Sequence, residues 1–163
     1  MTSIRVGDRA PDFTVETHSG QQVSLADFRG KQVVVLYFYP RDGTPICTKE
    51  ACSFRDAHEE LARAGAVVIG VSADSLDRHR AFARDHNLPF FLVSDRGGSL
   101  RKAFGVPKTW GLLPGRATYV IDKEGIVRHV FSAALSAQRH VAEALGIVRE
   151  LAGEGGDSTN PQP

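Results

Sequence analysis

The sequence predicts an α/β fold: a central mixed β-sheet flanked by helices on both faces, with an N-terminal β-hairpin. Three observations carry this expectation. The apolar runs Val33–Tyr39 and Ala66–Val71 have the length and β-branched content of strands buried on both faces. After each run, apolar residues recur at helical spacing: Phe54, Ala57, Leu61 and Ala64, then Leu76, His79, Phe82, Ala83 and His86. Finally, Arg116–Ile121 and Ile126–Phe131 flank the turn Asp122-Lys123-Glu124-Gly125, which predicts an antiparallel return. Strand–helix alternation closed by a hairpin and a last helix argues one mixed sheet rather than a bundle or sandwich.

Taken in order, Phe13–Val15 and Gln22–Leu25 alternate around His18-Ser19-Gly20 and predict the small hairpin. Ser24 or Asp27 begins a short helical turn that Gly30 ends. The first core strand, Val33–Tyr39, leads into a turn that holds both cysteines, then a helix to about Ala64 with Gly65 as its C-terminal cap. Asp74 is expected to cap the second helix, with Asp77 in capping-box position, and that helix stops before Leu88-Pro89. Phe90–Val93 reads as a third strand and Ser99–Phe104 as a short helix ending at Gly105. Val106–Gly115, rich in Pro and Gly, reads as an irregular loop in which Trp110 packs. Ser136 caps a last helix with Val141, Leu145, Val148 and Leu151 on one face. A single domain is expected over residues 1–152, with 153–163 as a mobile polar tail.

Composition excludes several functions. The net charge is +1 with acids and bases interspersed, so there is no basic block for nucleic acid or an anionic membrane surface. No apolar run approaches the ~20 residues of a membrane span. The N-terminal stretch lacks an apolar signal core, which makes the cytoplasm the expected location. In a reducing compartment, two close cysteines are more often redox-active or metal-binding than structural.

Those cysteines lie in Pro40-Arg-Asp-Gly-Thr-Pro-Ile-Cys-Thr-Lys-Glu-Ala-Cys52, at a strand-to-helix turn. Thr44 suits the N-cap and Pro45 the first helical position. Cys47 then falls at the third helical residue, where unpaired backbone N–H groups and the helix dipole favour an anion. A thiol held there is biased toward thiolate, the nucleophilic form. Residues five apart on a helix have Cα atoms about 8.6 Å apart, whereas a disulfide needs roughly 7 Å or less. Cys47 and Cys52 can therefore bond only if the start of the helix unwinds, which implies a two-state element.

A thiolate that is oxidised and then captured by a second thiol follows sulfenic acid chemistry. Peroxide attack also requires hydrogen-bond donors along the O–O bond and a cation for the departing oxygen. Thr44 can supply the first, as a cap, a pocket hydroxyl, or both. Arg41, Lys49 and Arg116 are the candidate cations, and Arg116 is favoured by its place at a strand start beside the cysteine turn. Asp42 and Glu50 read as solvated charges. Zinc is poorly supported: four residues separate the cysteines, no second pair exists, and the six histidines do not cluster.

The motif Pro40-x-x-x-Thr44-x-x-Cys47, with Arg116 in Gly-Arg-Ala-Thr-Tyr-Val-Ile-Asp, resembles the active site of the peroxiredoxins. The run from Tyr37 to Asp56 is similar to the peroxiredoxin Q / bacterioferritin comigratory protein branch in particular, an atypical two-cysteine type. Similar stretches continue through Gly70–Ser75, Leu88–Phe90, Leu92–Asp95 and Val120–Gly125. The resemblance implies a thioredoxin-like fold and a thiol peroxidase for hydrogen peroxide and organic hydroperoxides, with no metal or organic cofactor. By motif position it implies Cys47 as the peroxidatic cysteine and Cys52 as the resolving one, joined in an intramolecular disulfide. Thr44 then orients the peroxide, Arg116 stabilises thiolate and leaving oxygen, and Pro40 shields the pocket. Thioredoxin or glutaredoxin is the implied reductant, and a monomer, with a weak homodimer as alternative, the implied state. One departure is Ile46, where the branch commonly has Gly; a branched residue there is expected to alter substrate choice or slow resolution. A thiol–disulfide oxidoreductase is the rival enzyme class, disfavoured because such enzymes typically separate their cysteines by two residues.

Overall fold

The buried runs pair as the hydrophobic pattern predicts. In the computed structural model, residues 4–106, 115–132 and 137–157 are described. A two-stranded antiparallel hairpin forms from β1 (Thr14–Glu16) and β2 (Gln22–Ser24). A short 3-10 turn over Leu25–Phe28 follows, with the Ser24 N–H donating to Asp27 Oδ2 at 2.9 Å.

The main sheet contains β3 (Val33–Phe38), β4 (Ala66–Ser72), β5 (Phe91–Ser94), β6 (Ala117–Ile121) and β7 (Val127–Ser132), in the order β5-β4-β3-β6-β7. β3 pairs parallel with β4 and β4 with β5, while β6 and β7 run antiparallel. The helices are α1 (Pro45–Arg63), α2 (Leu76–His86), α3 (Ser99–Phe104) and α4 (Ala137–Asp157).

Alternation along β3 divides the core. Val33, Val35, Tyr37 and Tyr39 face a cluster with Ala51, Phe54 and Leu61 of α1, Phe82 of α2 and Val141, Ala144 and Val148 of α4. Val34, Leu36 and Phe38 face the other cluster, with Ala10, Leu25 and Leu100 and Phe104 of α3. β3 is buried along its whole length, which is why its sequence is a continuous apolar run. Because β3 and β6 are antiparallel, Phe38 at the end of β3 pairs with Ala117 at the start of β6. Arg116 is thereby placed beside the beginning of α1.

Several expectations need adjusting. The N-cap of α2 is Ser75, whose Oγ accepts from the Arg78 N–H at 3.2 Å, not Asp74. The Asp74 carboxylate is engaged instead by the Asp42 N–H and Ser72 Oγ, each at 2.7 Å, and by Arg78 at 3.3 Å. The third, fourth and fifth core strands each begin one residue later than the apolar pattern suggested. α4 continues to Asp157, past Gly153 where a mobile tail was expected to begin. Trp110, Ser136, most of the Val106–Gly115 loop and residues 158–163 lie outside the described residues.

Candidate active site

The site grows from the β3–α1 turn. Gly43, at φ +83°, gives the turn a left-handed step that side-chain-bearing residues rarely take. Thr44 then holds the N-cap in extended conformation, and Pro45 opens α1. The Thr44 hydroxyl does not cap the helix as expected; it donates to the Arg41 carbonyl at 3.0 Å. The N–H groups of the first turn are therefore left uncapped by the Thr44 side chain. Ile46 is half-buried beside Cys47, and Pro40 is half-buried at the end of β3.

Cys47 is buried, at 1% exposure, and its Sγ accepts a hydrogen bond from Arg116 Nη2 at 3.2 Å. Of the three candidate cations, Arg116 is thus the one against the sulfur, and it is 4% exposed. Arg41 and Lys49 are solvent-exposed. Cys52 lies on the same helix, half-buried, and both thiols are free.

Two acids contradict the expectation that they are solvated. Glu50 is fully buried and forms a salt bridge through Oε1 to Arg116 Nη1. Its other oxygen lies 3.6 Å from His140 Nδ1 of α4, and that nitrogen also meets Thr118 Oγ1 at 2.7 Å. One buried guanidinium thus serves both the Cys47 sulfur and a carboxylate. Burial pushes the Glu50 carboxyl from 4.5 up to about 7, with the pull of Arg116 only partly opposing it. For Arg116, burial works against the charge, but Glu50 and Cys47 outweigh that and raise its pKa. The two directions agree physically: burial disfavours both charges, but Arg116 has more than one partner to offset it, whereas Arg116 offsets it only in part for Glu50.

Asp42 is also buried. Oδ1 accepts from the Tyr39 hydroxyl and Oδ2 faces His79 Nδ1, each at 2.5 Å. His79 Nε2 lies 2.9 Å from the Val93 carbonyl and must donate to it. Donor atoms of Asp42, Asp74 and His79 lie within 4.8 Å of one another. Both His79 ring nitrogens are already engaged, so the trio reads as a clamp on the cysteine turn rather than as a cation site. Sequence reasoning missed Glu50, Asp42 and His140, although Glu50 sits three residues after Cys47 and so shares its helix face. A groove of about 760 Å³ lies elsewhere, lined by Phe13, Val15, Arg80, Arg96 and Leu100 among others, and contains none of the predicted site residues.

Comparison with known proteins gives the same reading. The AhpC/TSA family model matches residues 6–130. A chloroplastic peroxiredoxin Q of Triticum aestivum is 49% identical over 149 residues, covering 91% of this chain and 68% of that protein. The Sedum lineare counterpart is 49% identical over 152 residues, covering 93% and 81% respectively. Among solved structures, peroxidoxin BcpB of Mycobacterium tuberculosis superposes with a TM-score of 0.83 at 36% identity, over 91% of this chain and 98% of that one. A cysteine-to-serine mutant of Xylella fastidiosa PrxQ gives 0.83 at 26% identity, over 93% and 99%. With a thioredoxin-type sheet, a buried thiol under a guanidinium and relatives of this similarity, the chain belongs to the AhpC/TSA family, in its peroxiredoxin Q branch, and is a thiol-dependent peroxidase.

Proposed function

We propose that Cys47 is the peroxidatic nucleophile and Cys52 the resolving thiol of a single-chain catalytic cycle. The observation that carries this reading is the Arg116 guanidinium hydrogen-bonded to Cys47 Sγ at the start of a helix that also bears Cys52. The Cys47 thiolate attacks one peroxide oxygen, the O–O bond breaks, and the departing hydroxide or alkoxide takes a proton. Cys47 becomes a sulfenic acid. Arg116 and the first-turn N–H groups stabilise the charge that moves from sulfur to the leaving oxygen. Thr44 lines the approach, its hydroxyl oriented by the Arg41 carbonyl, and Pro40 covers the pocket edge. The start of α1 then unwinds and Cys52 displaces water to form the disulfide. A dithiol reductant of the thioredoxin type, thioredoxin or glutaredoxin, restores both thiols.

Hydrogen peroxide and organic hydroperoxides are the proposed substrates. A single domain is supported by the two core clusters sharing one sheet, and a monomer by Val6 being the one exposed large apolar side chain among the described residues. The proposed location is a thiol-reducing compartment, whether the cytoplasm or the plastid named for the plant relatives. Among the described residues, no helix is long and apolar enough to cross a membrane.

A thioredoxin-coupled peroxide consumption assay, with intact mass on the oxidised chain, tests the reading. Wild type consumes peroxide and loses two hydrogens per monomer; Cys47→Ser abolishes turnover, and Cys52→Ser permits one oxidation that stalls. Full activity in Cys47→Ser would overturn it.

A further inference from the structure

Resting on that cycle, we propose that His86 is the general base of the resolving step, taking the Sγ proton of Cys52. Cys47 has a guanidinium and a helix N-terminus to favour its anion. Cys52 has neither, because the dipole effect fades within the first turn. What faces it is imidazole: Cys52 Sγ lies 3.9 Å from His86 Nδ1, within hydrogen-bonding reach for sulfur.

That imidazole is held in place. His86 is the last residue of α2, and Asn87 follows in the left-handed conformation, φ 53°, its N–H closing the helix on Ala83 and Arg84 carbonyls. The ring stands edge-on to Phe82 with centroids 5.0 Å apart. From α1, Arg55 Nη1 donates to the His86 carbonyl at 2.9 Å, while its Nε contacts Asp56 at 3.1 Å. The Arg55 strut joins α1 to the end of α2 one turn beyond Cys52. Phe54 is fully buried against Tyr37, with ring centroids 4.6 Å apart. The downstream part of α1 is therefore anchored, whereas its upstream end follows Gly43 without a side-chain cap. Unwinding carries Cys47 toward Cys52, and Cys52 remains beside His86 while the proton moves.

The step balances. Neutral His86 accepts the Cys52 proton; the Cys52 thiolate attacks the Cys47 sulfenic sulfur; the S–O bond breaks, and the departing hydroxide is protonated, with His86 as the source, to give water. Sulfur of Cys47 is reduced and that of Cys52 oxidised as the disulfide forms. The charged groups facing His86 are Cys52 and Arg55 of α1, the latter tied to Asp56, with the Arg84–Asp85 pair next along α2 itself.

An ordinary thiol is about 3% thiolate at pH 7, so a dedicated base is worth at most about 30-fold there. Single-turnover stopped-flow with hydrogen peroxide separates Cys47 oxidation from disulfide closure. His86→Ala is expected to slow closure about tenfold at pH 7, with the oxidation phase keeping its rate. Added imidazole restores closure, and the gap to wild type narrows above pH 9, where thiols ionise unaided. His86→Gln, which keeps bulk and hydrogen bonding but not basicity, behaves like His86→Ala, and circular dichroism establishes that each is folded. Closure at the wild-type rate in His86→Gln, or slowing that is equal at every pH and unmoved by imidazole, would overturn the assignment. Failure of the oxidation phase in wild type would sink the underlying cycle instead, so the two are distinguished.

Discussion

Tyr37 shows how a single residue behind the cysteines can carry a cost. Its ring stacks on Phe54 and Tyr39, supporting the helix that presents Cys47. It fits because Gly70 lies opposite on β4: a Cβ there would come within 2.8 Å of the ring. The hydroxyl, however, is buried and has no hydrogen-bond partner among the described residues. Burial, followed by the charges of Glu50, Asp42 and Cys47, raises its pKa well above the ordinary 10.0, so it stays a neutral phenol. A buried unsatisfied polar group costs about 1–3 kcal/mol. Tyr37→Phe removes the group and keeps the stacking, so it is expected to stabilise the fold by about 1 kcal/mol. Gly70→Ala, which forces the ring aside, is expected to cost about 1–3 kcal/mol. Urea denaturation of both variants checks this, and a destabilised Tyr37→Phe would show that the hydroxyl is satisfied in solution.

At the scale of an element, the proposed cycle requires the start of α1 to come apart. Unwinding withdraws Glu50 from a site shared with Arg116, Cys47, Tyr37 and His140 and returns it to water. Its carboxyl is at about 7 in the helical form because burial disfavours its charge, against an ordinary 4.5. The sign follows from linkage: the helical form binds the proton more tightly. Below pH 4.5 both forms are protonated and the helical form keeps its full advantage. As pH rises from 4.5 toward 7, the unwound form ionises first, and the helical form loses up to about 3 kcal/mol of its advantage. Opening is thus easier at neutral pH than in acid. Hydrogen exchange at the amides of residues 46–52, corrected for intrinsic rates, should show opening rising between pH 5 and 7 in wild type. It should be flat in Glu50→Gln, which copies the protonated carboxyl. Opening with the same pH dependence in both would mean that another group controls the turn.

Across the whole molecule, what was legible in the sequence divides by the distance of the partners. The strands and α1 were readable because their signals are local: continuous apolar runs, a Thr-Pro helix start, a Gly after the last turn. Cys47 and Arg116 were readable because one lies in the first turn of the helix after β3 and the other just before β6, and the pairing of β3 with β6 brings those two places together. Glu50 and Asp42 were not, since a charged residue reads as solvated until its partner is known, and those partners lie 66 and 37 residues away. His79 is the intermediate case. Its spacing with Phe82 and Ala83 turned it inward, but nothing in the pattern named Asp42. The clamp they form unites the cysteine turn with α2 and, through the Val93 carbonyl, with β5. In the proposed cycle it would hold the chain just upstream of Gly43 while the start of α1 opens. Breaking one side of a buried, hydrogen-bonded ionisable pair costs about 3–5 kcal/mol, because the remaining partner is left uncompensated. His79→Leu should lose about that much stability in urea, and Asp42→Asn a comparable amount. The double variant should lose clearly less than the sum, since its second change removes a group already orphaned. The two losses adding in full would show that Asp42 and His79 act independently, and that the turn is held by the Asp74 contact to the Asp42 N–H instead.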